Sequence, residues 1–172
     1  SIKVFSRTPE KRVRFAKEMT SKLGIEVKPV DSGESCVNES DIVITITNSS
    51  DPVLLGEWLN TGTHINAAGS NQWMHRELDD KAMSRTDIIA TDDVNQAKIE
   101  CGELIHAVEH GLKQWQNVRN VGDVVSGKLP GRENENQITL FESQGIALED
   151  IATGINVYQI AKANGIGTEL PK

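Results

Sequence analysis

Short apolar strands alternate with polar loops and helices along this chain, and that alternation restricts the folds open to it. The first predicted strand is residues 2–5, and Thr8-Pro9-Glu10 opens a helix that Gly24 ends. The later predicted strands are 25–27, 41–47, 63–66, 87–90 and 138–141, and the later helices are 76–83, 96–110 and 145–163. Strand, loop, helix and strand in succession are βαβ units, which predict an α/β fold with a mostly parallel sheet and helices on its faces.

Three segments carry further expectations. Strand 41–47 has a nearly continuous apolar run, so we expect it to be buried on both faces of the sheet. Helix 145–163, the longest one predicted, is apolar on more than one face, which predicts burial against something besides the sheet. Segment 117–136 is rich in glycine, asparagine and charge, and we expect a mobile loop there.

Composition argues against two classes of partner. The 18 basic residues are outnumbered by 25 acidic ones, for a formal charge of −7, whereas a nucleic-acid binder needs a basic surplus to displace phosphate counterions. The longest apolar stretches fall far short of the roughly 20 residues that cross a bilayer. The 2 cysteines, Cys36 and Cys101, have no metal-ligand spacing, which predicts a reduced, cytoplasmic setting.

Two motif matches are incomplete. Residues 122–129 nearly spell a phosphate-binding loop, but Leu129 stands where a Ser or Thr hydroxyl must hold Mg²⁺, and no helix begins there. His106, Glu109 and His110 match an inverted zinc-protease pattern without a clear third ligand downstream. Histidines also suit the negative end of a helix, so we interpret this pair as a solvated last turn and predict no metal site.

The end of the first predicted strand carries a candidate phosphate site. In dinucleotide-binding folds an acid at the end of the second strand takes the ribose 2′-hydroxyl, while a small polar residue beside an arginine accepts a 2′-phosphate. If residues 2–5 are that strand, the Arg7 guanidinium, the hydroxyls of Ser6 and Thr8 and the amides of the next helix converge on a phosphate. A polar helix cap without a ligand is the alternative.

Five segments carry a resemblance to a known family: SRTP at 6–9, ESCVNESDIVITITNS at 34–49, GTHINAAGSN at 62–71, RELD at 76–79 and ITLFESQGIALEDIA at 138–152. In this order, over nearly the whole chain, they resemble the ornithine cyclodeaminase and mu-crystallin family. The resemblance implies a Rossmann-like three-layer fold.

The same resemblance implies that a part of that fold is missing. No Gly-rich phosphate turn precedes Ile2, so the chain is expected to lack the first strand and that turn. Residues 1–172 would then form an incomplete NAD(P)-binding domain without the family's N-terminal substrate domain. Helix 145–164 would pack toward that absent domain, and we expect the chain alone to be catalytically incomplete.

The resemblance also implies which residues contact the cofactor. Ser6, Arg7 and Thr8 would hold the adenosine ribose and its phosphate, which favours NADP(H) over NAD(H). The remaining expected contacts are Thr45, Thr47 and Asn48 along the cofactor, Asn66, Ala67 and Gly69 toward the nicotinamide side, and Ser143 to Gly145 at the nicotinamide region. Each has a structural alternative, since the threonines suit a strand, Asn66 suits a turn and Gly145 suits the start of a helix.

Asn71 is the sharpest departure from the family pattern. The family's cyclodeaminases resemble this chain on either side of that position but carry an aspartate there as acid/base. An amide orients a substrate or a water by hydrogen bonds, but it has no ionisable group near neutral pH and cannot take a proton. Asn71 is therefore predicted to be a hydrogen-bonding residue beside the nicotinamide. The resemblance also implies that branches of the family that reduce cyclic imines or ketimines tolerate a neutral residue there.

Three functions remain open at this point. The first is an NAD(P)H-dependent oxidoreductase that acts on a small amino acid or its cyclic imine, and the second is an ammonia-releasing ornithine cyclodeaminase. The third is a non-catalytic NADP-dependent binder of a small molecule, because a family does not fix a function. The resemblance implies a homodimer for the full-length protein in each case.

Overall fold

A computed structural model describes residues 1–69, 72–168 and 170. The strands are β1 (Ile2–Val4), β2 (Val27–Pro29), β3 (Ile42–Thr45), β4 (His64–Ala67), β5 (Ile88–Thr91), β6 (Val118–Asn120) and β7 (Thr139–Glu142). The helices are α1 (Pro9–Leu23), α2 (Gly33–Val37), α3 (Asp80–Arg85), α4 (Val94–Glu100), α5 (Gly102–Glu109), α6 (Val121–Val125) and α7 (Ala147–Ala163). Short 3₁₀ turns lie at Gly56–Trp58 and Trp115–Asn117.

The strands form two separate parallel sheets. Five of them lie in the order β3-β4-β7-β5-β6, and β1 pairs with β2 alone. The α/β fold with a mostly parallel sheet is therefore confirmed. Among the described residues, β1 and β3 each have a strand on one side only, so each leaves one edge unpaired.

One face of the five-stranded sheet holds the core. Val43, Ile65, Leu140, Ile89 and Val118 are in register across the five strands, and each is less than 9% exposed. Helical and loop residues complete this core, among them Leu54, Leu78, Met83, Ala97 and Leu104. Each buried aliphatic side chain of this size contributes about 1.5 to 3 kcal/mol, so this face accounts for much of the fold's stability.

Helix α1 forms as its sequence predicts. Thr8 takes the extended N-cap position, Pro9 occupies the first turn, and Gly24 ends the helix in the left-handed conformation at φ +67°. Lys22 pairs with Glu18 on its exposed side. Only Ala16 of this helix is buried, so α1 rests on its neighbours by a narrow stripe.

The strand predicted at 41–47 is not buried on both faces. Its side chains alternate in exposure, and Ile42 and Ile44 are 61% and 64% exposed while Val43 is buried. The prediction was wrong because β3 is an edge strand whose second face has no helix over it among the described residues. An apolar run shows what a strand is able to bury, but not which neighbours the chain brings to it.

Two other expectations, for segment 117–136 and for helix 96–110, are corrected. The segment 117–136, expected to be a loop, contains β6 and α6. The helix expected at 96–110 is two helices, because Cys101 between them has an extended backbone with φ −82° and ψ 98°. Every residue of α7 except Ala161 is exposed, so the burial expected of that helix is not provided by the described residues. None of the described helices is long and apolar enough to cross a membrane.

Candidate functional site

A row of side chains marks the carboxyl edge of the five-stranded sheet. Thr45, Ala67, Glu142 and Thr91 are the last residues of four adjacent strands, and they are in register with one another. All four are buried on the face that holds the core. Because the strands are parallel, the loops that follow them leave from the same edge, which is where α/β folds bind their ligands.

Glu77 joins the loops after β3 and β4. Its Oε1 accepts a hydrogen bond from the backbone N–H of Thr47 at 2.6 Å, and its Oε2 accepts one from the N–H of Gly69 at 2.9 Å. The side chain is fully buried. A single carboxylate therefore fixes the backbone of two loops that carry predicted cofactor contacts.

Gly69 is confined by these same groups. A Cβ added there would overlap the backbone N and O of Thr47 and lie 2.5 Å from Oε1 of Glu77. A side chain at this position would have to move backbone rather than a flexible group. Glycine is therefore required for the close approach of the β3 and β4 loops.

Asp92 binds the turn that follows β7. Its Oδ2 accepts from the Ser143 hydroxyl at 3.0 Å and from the N–H groups of Gln144 and Gly145 at 2.8 and 2.7 Å. Gly145 has φ +73°, a conformation that favours glycine. Successive N–H groups thus surround one buried carboxylate, in the manner of an anion-binding nest.

A layer of buried acids lies behind Glu77. A carboxylate oxygen of Glu103 accepts the backbone N–H of Glu77, and the thiol of Cys101 lies 3.8 Å from Oε2 of Glu142. Burial raises the pKa of Glu103 to about 6. Burial, followed by the nearby charges of Glu103 and Glu77, raises the pKa of Glu142 well above its usual range. Glu142 therefore keeps its proton to a higher pH than an exposed glutamate does.

Cys101, Glu103 and Glu142 are also the described residues that come nearest to a metal-ligand set. One ligand atom from each lies within 4.8 Å of the others, and all three residues are buried. Burial raises the pKa of the Cys101 thiol as well, with Glu142 and Glu103 adding to the effect. Three donors are one short of the four that a structural zinc site has.

The histidines of the zinc-like pattern have other contacts. The rings of His106 and His110 stack with centroids 3.9 Å apart. Nε2 of His106 lies 2.9 Å from Oδ1 of Asp80, a carboxylate that also accepts from Arg76 at 2.7 Å. The hydrogen bond from Arg76, with the His106 charge, lowers the pKa of Asp80. This is a surface charge cluster at the end of α5.

Ser6, Arg7 and Thr8 form the loop between β1 and α1. Ser6 is half-buried, while Arg7 and Thr8 are exposed, and the Thr8 side chain makes no cap hydrogen bond to the helix. Arg12 supports the loop: Nη1 donates to the Ser6 carbonyl at 3.2 Å, and its guanidinium lies over the Phe5 ring. The Ser6 hydroxyl donates to the Thr8 carbonyl at 3.3 Å, while the Arg7 and Thr8 side chains face solvent.

The structure brings together most of the predicted contacts, but not all. The residues at the carboxyl edge of the five-stranded sheet are Thr45, Thr47, Ala67, Gly69, Ser143 and Gly145, with Asn48 exposed in the loop after β3. Asn66 is in register with Ile44 and Phe141, so it faces the opposite side of the sheet from Ala67. Asn71 lies outside the described residues.

Sequence reasoning missed the acids that organise this edge. Glu77 was noted only within the RELD segment, and Asp92, Glu103 and Glu142 were given no role. Glu77 stands shortly before helix α3, and Asp92 directly follows strand β5. Such positions are typical of residues that cap helices or bind turns, and this signal could have identified them. Their partners lie 30 and 52 residues away in sequence, which no local pattern shows.

A sequence profile described as the ornithine cyclodeaminase/mu-crystallin family matches residues 1–165. The chain belongs to this family. A Δ(1)-pyrroline-2-carboxylate reductase from Bacillus cereus is 32% identical over 170 residues, which cover 98% of this chain and 52% of that protein. The chain spans about half the length of the curated relatives it matches.

Two solved structures of family members are similar to the chain. The Thermococcus litoralis Δ(1)-pyrroline-2-carboxylate reductase, in complex with NADH and L-proline, is 35% identical with a TM-score of 0.93, covering 98% of this chain and 52% of that one. The iminosuccinate reductase of Paracoccus denitrificans, in complex with NAD⁺, is 32% identical with a TM-score of 0.85, covering 96% and 50%. Both hold a nicotinamide dinucleotide, and the fold of this chain is similar to that of about half of each of them.

Proposed function

We propose that this chain is the cofactor-binding part of an NAD(P)H-dependent oxidoreductase that reduces a cyclic imine or imino acid to a small amino acid. The observation that carries the proposal is the carboxyl edge of the sheet. Loops from β3, β4 and β7 are held there by buried carboxylates, in a chain about a third identical to two imine reductases. Such an edge is where a dinucleotide binds in this class of fold.

The residues at this edge fit a dinucleotide. Gly69 lets the loops after β3 and β4 pack closely together, and Gly145, at φ +73°, leaves open space where a side chain would stand. The hydroxyl of Thr45 is buried without a hydrogen-bond partner among the described residues. The bound cofactor would supply a hydride to the substrate α-carbon. The chain's part in this is to hold the nicotinamide in position through the loop after β4 and the turn at 143–145.

We propose NADP(H) as the preferred cofactor. No acid stands at the end of β1 to repel a 2′-phosphate, and Ser6, Arg7 and Thr8 offer two hydroxyls and a guanidinium. The two solved relatives hold NADH and NAD⁺, so both cofactors belong in every assay.

Helix α7 supports a proposal about the rest of the protein. Leu148, Ile151, Ile155 and Tyr158 are each more than 50% exposed on it. We propose that residues 145–164 pack against the N-terminal substrate domain of a longer, homodimeric cytoplasmic protein, and that this chain alone is inactive. Exposed apolar side chains that are grouped on one helix in this way mark an interaction site.

The test of the function uses the full gene product that contains this chain. It should oxidise NADPH in the presence of a cyclic imine such as Δ(1)-pyrroline-2-carboxylate, and it should release no ammonia from ornithine. Robust ammonia release would favour the cyclodeaminase instead. Saturable cofactor binding without turnover of either substrate would favour a non-catalytic binder.

Asn71 provides the sharper form of this test. We propose that it hydrogen-bonds near the nicotinamide and transfers no proton. Asn71→Ala should then lower the rate of imine reduction by roughly 10- to 100-fold through lost orientation rather than abolish it. Asn71→Asp should introduce or raise ammonia release from ornithine. Robust ammonia release by the unaltered protein would overturn the argument from the missing carboxylate.

A further inference from the structure

Two buried carboxylates hold the backbone of the loops that carry the proposed cofactor contacts. Glu77 accepts the N–H groups of Thr47 and Gly69, and Asp92 accepts two N–H groups and a hydroxyl from residues 143–145. Glu77 is fully buried and Asp92 is 7% exposed. We call Glu77 and Asp92 the clamp carboxylates.

The chemistry of a carboxylate suits this arrangement. An ionised carboxylate only accepts hydrogen bonds, and both oxygens of Glu77 face an N–H donor. A glutamine at this position would direct an NH₂ group at one of those donors. Hydrogen bonds to a charged acceptor are about twice as strong as neutral ones, so each clamp fixes its loops more firmly than an amide can.

The two clamps act on different parts of the edge. Glu77 joins the loops after β3 and β4 to each other, and its own N–H is held by Glu103. Asp92 acts only on the turn after β7 and leaves the loops after β3 and β4 untouched. A loss of one clamp should therefore loosen one region and spare the other.

We propose that the clamp carboxylates are positioning residues with different effects: Glu77, through the loops after β3 and β4, sets both the affinity for the dinucleotide and its alignment, and Asp92 sets only the alignment of the nicotinamide for hydride transfer. The proposal rests on the proposed function, since it takes these loops to be the cofactor site. Neither residue touches the reacting atoms in this account. Each acts through the backbone that it holds.

The experiment compares Glu77→Gln and Asp92→Asn in the full gene product with the matched exposed controls Glu57→Gln and Asp41→Asn. Glu77→Gln should raise the Kd for NADPH about 10- to 100-fold and should also lower kcat at saturating cofactor about 10- to 100-fold. Asp92→Asn should lower kcat about 10- to 100-fold and change the Kd by less than about 5-fold. Both controls should leave both constants unchanged.

Amide hydrogen exchange without cofactor separates this proposal from the proposed function. Exchange should accelerate at 46–49 and 67–69 in Glu77→Gln, and at 143–146 in Asp92→Asn, but in neither control. If the unaltered protein binds no dinucleotide while these exchange changes occur, the proposed function fails and the clamps stand as loop-fixing groups without a cofactor role. A Kd for Glu77→Gln equal to that of its control, or the same loss of affinity and kcat in both variants, would overturn the proposal.

Glu77→Asp provides a second reading in case Glu77→Gln does not fold. Aspartate keeps the two acceptor oxygens and the charge, but its side chain is one methylene shorter. Its oxygens should therefore reach the two N–H groups less well. The Kd of Glu77→Asp for NADPH should lie between those of the unaltered protein and Glu77→Gln. If Glu77→Gln does not fold, the Kd of Glu77→Asp should exceed that of the unaltered protein by about 3- to 30-fold. An unchanged Kd in Glu77→Asp together with unchanged exchange at 67–69 would contradict the role given to Glu77.

Discussion

The carboxyl edge of the five-stranded sheet and the loop between β1 and α1 carry the two halves of the proposed cofactor site, and they are built differently. The edge is anchored by buried side chains, and Glu77 and Asp92 fix its backbone. The β1–α1 loop rests on a two-stranded sheet, and its Arg7 and Thr8 are exposed. The proposed nicotinamide half of the site is therefore held by hydrogen bonds to buried carboxylates, while the proposed phosphate half depends on groups that face solvent.

The largest effect should come from a methyl group at the rigid edge. Gly69→Ala places a Cβ against the backbone of Thr47 and Oε1 of Glu77, none of which moves cheaply. We expect a loss of about 3 kcal/mol or more in the free energy of unfolding, measured by urea denaturation. Gly122→Ala is the control, because a Cβ on this residue of α6 meets nothing within 4 Å.

That control should be neutral or stabilising by up to about 1 kcal/mol, since alanine is the better helix former. Equal stability of the Gly69→Ala and Gly122→Ala proteins would show that the edge yields easily and is not rigid. The contrast between the two regions would then lose its basis.

The next effect is a pH dependence of the free energy of unfolding, which should come from the carboxyl edge and not from the β1–α1 loop. Glu142 lies beside Cys101 and Glu103, which belong to the α4–α5 region, and Glu77 and Asp92 are also nearby. Burial raises the pKa of Glu142 well above its ordinary value. The folded protein therefore holds a proton that the unfolded chain gives up near its ordinary pKa. Stability falls as pH rises from that ordinary pKa through the folded one, by up to about 1.4 kcal/mol per pH unit.

Glu142→Gln has no such proton to lose. Its free energy of unfolding should match that of the unaltered protein near pH 4.5 and exceed it as the pH rises above that value, as urea denaturation at several pH values would show. Glu149→Gln, on the exposed helix α7, is the control and should follow the unaltered protein. Parallel curves for all three proteins would mean that Glu142 is not held neutral.

Arg7 gives the smallest of these effects, and it tests the exposed half of the site. Removing a charge-assisted contact to a phosphate costs about 1.5 to 3 kcal/mol, so Arg7→Ala should weaken NADPH relative to NADH by roughly 10- to 150-fold in the full gene product. Isothermal titration of both cofactors measures the ratio. Arg14→Ala, an exposed residue of α1, should leave it unchanged. Equal weakening of both cofactors by Arg7→Ala would remove the argument for a 2′-phosphate.

Local signals predicted the elements of both regions well. The cap, proline and glycine of α1 lie close together in sequence, and the structure confirms the helix at Pro9–Leu23. The strands ending at Thr45, Ala67 and Glu142 were predicted to within a few residues, so the carboxyl edge could be located in advance. Helix caps and strand runs are short-range features, which one sequence displays directly.

The contacts that organise the edge could not be predicted from one sequence. Glu77 reaches a loop 30 residues earlier, and Asp92 reaches a turn about 52 residues later. The exposed second face of β3 was missed for the same reason, since burial depends on which elements the topology brings alongside a strand. Long-range pairing decides both, and periodicity carries no information about it.

We propose, above all, that a nicotinamide dinucleotide binds across the carboxyl edge of the five-stranded sheet. An NADPH titration of the isotope-labelled full gene product, followed by nuclear magnetic resonance, tests it directly. The backbone amide signals of Thr47, Gly69 and Gly145 should shift together with that of Arg7, saturating at one common Kd, while amides at the opposite end of the sheet, such as that of His64, stay in place. Saturable binding that shifts none of the three edge amides would contradict the claim, because the cofactor would then bind elsewhere on the protein.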